Sequence, residues 1–494
     1  MEEAISLIGG DWTRPHNDEF FDVIDPASGE VVTRVAQASS ADVDKAVSAA
    51  RTALATSDWA YDGALRAQVL LEWADKLSQN IEPLARQLTR ENGKTIGEAR
   101  FEVSSQVGVI RYNAGLARTI SGRSHSLGRE IFSVVAREPM GVVAVISPWN
   151  WPVTLMVRDM VPALAAGNAL IVKPASQTSG ACLGVLRLLA ECANLPPGIL
   201  NVVVGRGSSV GQALVEHPGI DMIAFTGEAE TGRNLMRAAA QTLKKVSLEL
   251  GGKSPMVVCA DANLDKAVPE LVSAVFTTTT GQICTAPSRL VVESSIHDEV
   301  VERLRALVGT LQVGNGFEAG VRMGPLTTRS QLEKVLSYIE LGRRDATLVA
   351  GGRALTEGSL KNGNFVEATI FDDVPLDSPL AREEIFGPVL VVQTFTGDAE
   401  AIQLANATPY GLSSAVWTDN LQRAWRLARA IQAGTVWVNT YNRFYPEMEV
   451  GGYKESGVGR MAGIDGLLEF TQTKNINFDN RDASAGIGRI SDKR

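Results

Sequence analysis

Gly141-Val142-Val143-Ala144-Val145-Ile146-Ser147-Pro148-Trp149-Asn150-Trp151-Pro152 opens the region that decides the fold. Five apolar residues run together, a proline-bounded turn follows, and a helix is expected from Pro152 to Ala166. The unit then repeats. Ala169–Val172 leads to a helix over Thr178–Cys192, Leu200–Val204 to one over Ser208–Glu216, and Met222–Phe225 to one near Thr231–Ala240. Val246–Leu250 closes the series. Strands that are apolar on both faces and alternate with helices predict a parallel sheet covered on both sides. Ligands of such sheets bind beyond the carboxyl ends of the strands. Pro148, Lys173, Gly205, Gly227 and Glu249 all fall at or just after those ends.

A second α/β stretch starts near Gly252. Strands are expected at Pro255–Val258, Ser288–Val292, Val389–Phe395 and Gly434–Val438, with long helices over 296–311, 329–345 and 419–432. Upstream, residues 18–36 read as short strands around Asp25-Pro26-Ala27-Ser28-Gly29. Ser39 and Asp42 fit a capping box for a helix whose apolar face is Val43, Ala46, Val47, Ala50 and Leu54. The next helix carries Leu65, Val69, Trp73 and Leu77. Arg129–Arg137 and Phe470–Phe478 look extended and belong to neither sheet. Paired, they would form an arm that docks on another subunit. The polar stretch 480–494 is expected to fray.

The 494 residues suffice for two or three domains with sizeable cores. A net charge of −9 provides no basic field for nucleic acid or anionic lipid. Four cysteines do not make a disulfide framework in a chain this long, and they fit a reducing, cytoplasmic compartment. Met1-Glu2-Glu3-Ala4 lacks the basic start of a secretory signal. The most apolar stretch, 142–157, is broken by Ser147, Pro148, Asn150 and Pro152, so no membrane span is expected. Four scattered histidines and isolated cysteines predict no bound metal.

Three elements carry chemistry. Cys284 lies in Gly281-Gln282-Ile283-Cys284, Glu249 in Leu248-Glu249-Leu250-Gly251-Gly252-Lys253, and Asn150 in the turn quoted first. A thiol is a potential nucleophile, a carboxylate a base, and an amide NH₂ an oxyanion donor. Taken alone, Cys284 reads as a buried core thiol, as Cys182, Cys192 and Cys259 do. A carboxylate among apolar neighbours, as at Glu249, has its pKa raised toward that of a working base.

Together these motifs resemble the NAD(P)-dependent aldehyde dehydrogenase superfamily. The resemblance covers nearly the whole chain, from Phe21-Asp22-Val23-Ile24-Asp25-Pro26 to Gly451-Gly452-Tyr453-Lys454-Glu455-Ser456-Gly457. It implies a Rossmann-type cofactor domain (1–117 and 140–250), an α/β catalytic domain (251–450), and an oligomerisation arm and tail (118–139 and 466–494). It implies oxidation of an aldehyde to the acid with NAD or NADP, in a homodimer or homotetramer. Cys284 would attack the carbonyl, Glu249 would activate the deacylating water, and Asn150 with the Cys284 N–H would bind the oxyanion. Cofactor contacts would come from Ile146, Ser147, Pro148, Trp149, Lys173, Ser176, Gly207, Phe225, Thr226, Gly227, Gly232, Leu250, Glu384 and Phe386.

Two departures from the family pattern bear on the cofactor. Glu228 stands where a serine usually reaches the phosphate, so its side chain is expected to turn outward. Ser176 stands where NAD-preferring members often carry Glu; with Arg206 nearby, a 2′-phosphate is permitted without being required. For the substrate, Trp151, Arg158 and Arg443 are candidates. Arg158 would either bind a substrate carboxylate or bridge to Asp159. The aldehyde would be aromatic or carboxylate-bearing. The alternatives are a CoA-acylating dehydrogenase, which lacks the glutamate found here at 249, and a non-catalytic structural relative.

Overall fold

The strand Val142–Ile146 lies at the centre of an eight-stranded sheet and is buried along its whole length. The structure, a computed structural model, describes residues 2–15 and 18–480. In this sheet Lys245–Glu249, Met222–Thr226, Val142–Ile146, Ala169–Lys173 and Leu200–Val202 run parallel in that spatial order. Burial of each Val or Ile in these strands contributes roughly 1.5–3 kcal/mol. Helices Pro152–Ala165, Ser179–Ala190 and Ala229–Ala239 are the crossovers. The expected helix over Ser208–Glu216 begins as a π-turn, Gly207–Gly211, before Gln212–Glu216.

The sheet is not parallel to its edges. Ser6–Ile8 pairs antiparallel with Leu200–Val202 and carries Asp11–Thr13 beyond it, while Gly457–Val458 pairs antiparallel with Lys245–Glu249. Strands this short have too little pattern to be read in advance.

The second sheet has seven strands. Its order is Thr347–Ala350, Thr369–Asp372, Val389–Phe395, Arg289–Glu293, Pro255–Val258, Ser413–Trp417 and Thr435–Val438, parallel except at the first. Thr347–Ala350, Thr369–Asp372 and Ser413–Trp417 are strands beyond the four that the apolar pattern predicts for this region. Thr471–Asp479 and Arg123–Ser126 flank Ile131–Pro139 in a separate antiparallel sheet, and the first of these pairs runs through nine residues. Of the stretch expected to fray, 481–494 lies outside the described residues. Among the described residues no helix is long and apolar enough to cross a membrane, and no cluster of three or more His, Cys, Asp or Glu could hold a metal.

Candidate active site

Three chain segments converge beyond the carboxyl ends of the first sheet. The turn after Val142–Ile146 presents Asn150, which is buried, and its Nδ2 donates to Gln282 O at 2.9 Å. Gln282 belongs to the loop that ends in Cys284. That loop reverses through three successive residues in the left-handed region: Thr279 (φ 45°), Thr280 (φ 54°) and Gly281 (φ 74°). Such a conformation persists only where surroundings enforce it. Glu98 accepts the Thr279 N–H at 2.6 Å, and Thr280 Oγ1 donates to Gly324 O at 3.0 Å.

Cys284 is half-buried and unbridged. Burial, reinforced by Glu249 and Glu384, pushes its thiol up to about 12; Arg158 acts against them. The thiol is therefore the resting form at neutral pH. Glu249 ends its strand, with only 5% of its surface exposed, and its Oε1 has no hydrogen-bond partner among the described residues. Desolvation raises this carboxyl to about 7, opposed by Arg158 and helped by Asp159.

Arg158 occupies the helix that follows Asn150. Its Nε donates to Asp159 at 2.9 Å and its Nη2 to Thr226 Oγ1 at 2.6 Å. Thr226 is the register partner of Glu249, so the guanidinium is fixed beside the end of the strand carrying that carboxylate. Arg460, which the sequence did not single out, also acts on Glu249. Trp151 lies beneath Lys94 Nζ, 4.1 Å from its ring centroid, and edge-on to Phe101. Arg443 is exposed, 4.0 Å from Glu270. Its loop is anchored beside the cysteine, because Tyr441 OH donates to Thr285 O and Thr285 Oγ1 donates to Asn442 Oδ1 at 2.9 Å.

The strand ends also form a cradle suited to a dinucleotide. Ser147 Oγ is buried without a partner among the described residues. Gly227 N–H donates to Glu249 O at 3.0 Å, and a Cβ at Gly227 would strike the Phe225 ring. A Cβ at Gly232 would come within 2.6 Å of Leu250, whose own N–H donates to Ser456 O at 2.8 Å. Around Gly207 the space is open. Ile146 and Pro148 bracket Ser147 at the end of the central strand, and Trp149 meets Phe386 edge-on at 5.4 Å. Phe386 holds φ 61°, with its carbonyl clamped by Gln331 Nε2 at 2.7 Å. Glu384 accepts the Gly252 N–H at 3.0 Å, and burial raises its carboxyl to about 7. Lys173 is buried and held down to about 8 by desolvation, with its Nζ donating to Pro174 O. Ser176 and Arg206 line one cavity of about 430 Å³. Glu228 is exposed and makes no side-chain cap bond.

The chain is similar to known proteins along nearly its whole length. The family model described as the aldehyde dehydrogenase family matches residues 12–476. A betaine aldehyde dehydrogenase of Bacillus subtilis is 38% identical over 97% of this chain and 98% of its own length. Among solved structures, the betaine aldehyde dehydrogenase of Staphylococcus aureus in complex with NAD+ superposes with a TM-score of 0.95 at 34% identity, covering 97% of this chain and 96% of that one. An NAD-dependent aldehyde dehydrogenase from Sinorhizobium meliloti gives 0.94 at 38% identity, covering 98% and 96%.

Proposed function

The chain belongs to the aldehyde dehydrogenase family and is an NAD(P)-dependent oxidoreductase acting on aldehydes; on that premise we propose that Cys284 is its nucleophile, Glu249 its deacylating base and Asn150 an oxyanion donor. The observation that carries this reading is the bond from Asn150 Nδ2 to Gln282 O, which ties the amide to the cysteine loop. Once the Cys284 thiol has given up its proton to solvent, attack by its sulfur on the carbonyl carbon places negative charge on oxygen, where the Asn150 amide and the Cys284 N–H receive it. The dinucleotide, when bound, supplies the hydride acceptor. Ser147, Lys173, Gly227 and Glu384 would hold it. The resulting thioester on Cys284 is cleaved by water that has lost a proton to Glu249. A carboxyl near 7 is suited to that task at neutral pH. The same glutamate favours a free acid over a CoA ester as product.

For the substrate we favour an uncharged aromatic aldehyde. Phe101 and Trp151, which meet edge to face, and Phe444 and Tyr445, in the loop that Asn442 anchors to Thr285, supply aromatic surface. Arg158 opposes a cationic aldehyde, and its bond to Asp159 diminishes its pull on a carboxylate. A second reading, a carboxylate-bearing semialdehyde, has in its favour that the guanidinium lies within electrostatic reach of Cys284 and Glu249. Ser176 and Arg206 in one cavity favour use of NADP as well as NAD. The strand pair 131–139 and 471–479 is proposed as the arm of a homo-oligomer.

One assay tests the reaction and the specificity together. Benzaldehyde, succinic semialdehyde and betaine aldehyde are each offered with NAD and with NADP while reduced nicotinamide is followed. We expect benzaldehyde to give the highest kcat/KM and both cofactors to serve. A preference for succinic semialdehyde would favour the second reading. Cys284→Ala should abolish turnover without moving the melting temperature; turnover retained in that variant would remove the nucleophile from the scheme.

A further inference from the structure

Asn150 and Cys284 approach from different sheets, so something must fix their separation. A buried group of side chains around the turn between helices Ile81–Asn92 and Ile96–Leu116 does so. Lys94 pairs with Glu102, and neither side chain has any exposed surface. Lys94 Nζ also donates to the backbone oxygen of Asn150 at 2.9 Å. The other oxygen of Glu102 accepts the N–H groups of Val153 at 2.9 Å and Thr154 at 3.1 Å, capping the helix that Asn150 precedes. Asn92 Nδ2 donates to Trp149 O at 2.8 Å.

The chain of bonds continues to the cysteine loop. Thr327 Oγ1 donates to Asn92 O at 2.8 Å, Thr327 N–H donates to Gln282 Oε1 at 3.0 Å, and Gln282 O receives the Asn150 amide. A hydrophobic pair in place of Lys94 and Glu102 would pack the helices about as well. It would leave the Asn150 carbonyl with only a long 3.4 Å bond from Asn92 Nδ2 and two helix N–H groups without partners.

We propose that the Lys94–Glu102 ion pair is a positioning device for the Asn150 amide, gripping residues 150–154 on both sides so that the amide keeps its distance from the cysteine loop. This rests on the reading of Asn150 as an oxyanion donor. Neither Lys94 nor Glu102 reaches the reacting atoms, so both act only through Asn150.

The test is a double-mutant cycle on the full-length chain, with kcat and aldehyde KM measured for Lys94→Met, Asn150→Ala and the combination. Asn150→Ala should lower kcat by on the order of 10²-fold or more, as loss of an oxyanion donor does. Lys94→Met should lower it by roughly 10- to 100-fold, the scale of a misplaced catalytic group, with KM nearly unchanged. The combination should be no slower than Asn150→Ala to within about twofold, because the amide through which Lys94 acts is already gone. Multiplying effects would overturn the proposal while leaving the oxyanion reading intact. Asn150→Ala at the wild-type rate would overturn that reading and the proposal with it.

Lys94→Met strands a buried carboxylate and can fail to fold. The pair Lys94→Met with Glu102→Gln removes both charges and then carries the same cycle. If that also fails, Glu102→Gln alone carries it: the amide oxygen still accepts from Val153 and Thr154, which favours folding, while its NH₂ can no longer accept from Lys94 and the hold on the Asn150 carbonyl is lost. Any of these that folds and turns over at the wild-type kcat would equally overturn the proposal.

Discussion

Arg158 is the side chain whose charge bears on both proposed reacting groups, favouring the ionised form of Cys284 and of Glu249. Arg158→Gln should therefore raise the proton affinity of Glu249. Where deacylation limits the rate, the acid limb of the kcat profile should move above its starting position near 7 by about one pH unit or more. Alkylation of Cys284 at fixed pH should slow in the same variant. An unmoved profile would detach Arg158 from the base. A second buried group makes a stability prediction. Lys253 Nζ has no hydrogen-bond partner among the described residues, and desolvation holds the amine down to about 7 from an ordinary value of 10.5. Between those two pH values the unfolded chain carries the extra proton, so the native state gains stability as pH rises through the window. Lys253→Met should stabilise the protein near neutral pH by at least about 1 kcal/mol, with the gain shrinking toward pH 10; urea unfolding across that range is the check. The candidates Cys284, Glu249 and Asn150 could be picked out of the sequence because the proposed nucleophile, base and amide stand in long ordered motifs. Lys94, Glu102 and Thr327 could not, because they act on backbone atoms, and a lysine eight residues from a glutamate gives no sign that both are buried.

The cysteine loop depends on Gly281. With φ at +74°, and with the carbonyls of Gly387 and Val275 against its Cα, it has no room for a methyl group. Gly281→Ala should cost on the order of 1–3 kcal/mol from the backbone alone. It should also lower kcat more than aldehyde KM, as melting and steady-state kinetics would show. The strands on either side of such loops were readable for a plain reason. A parallel strand covered on both faces is an unbroken apolar run, as Val142–Ile146 and Ala169–Val172 are. Ser6–Ile8, Asp11–Thr13 and Gly457–Val458 pass unnoticed because two or three residues cannot display a period, and long-range partners decide their conformation. Ser413–Trp417 was missed for a related reason, since its two serines interrupt the apolar run although both are buried.

The two extended stretches assigned to neither main sheet pair with each other, and Phe132 stacks on Phe478 with ring centroids 4.8 Å apart. Both rings remain about two-fifths exposed, as does Ile476. If this sheet joins copies of the chain, Phe478→Asp should shift sedimentation toward smaller species while leaving the fold of each subunit intact; an unchanged sedimentation coefficient would exclude the arm from assembly. Periodicity could suggest that both stretches are extended, but which other surface they meet depends on shape and lies beyond any local pattern. Their pairing also orders events during synthesis. Ser133 and Asn475, which bond across it, are 342 positions apart. At roughly 5–20 residues per second, the ribosome needs on the order of 20–70 s to deliver the second strand after the first. Throughout that interval the 131–139 segment is a nascent edge open to aggregation, and the charges just before it, Arg129 and Glu130, with those near its end, Arg137 and Glu138, are suited to keep such an edge soluble until translation is complete.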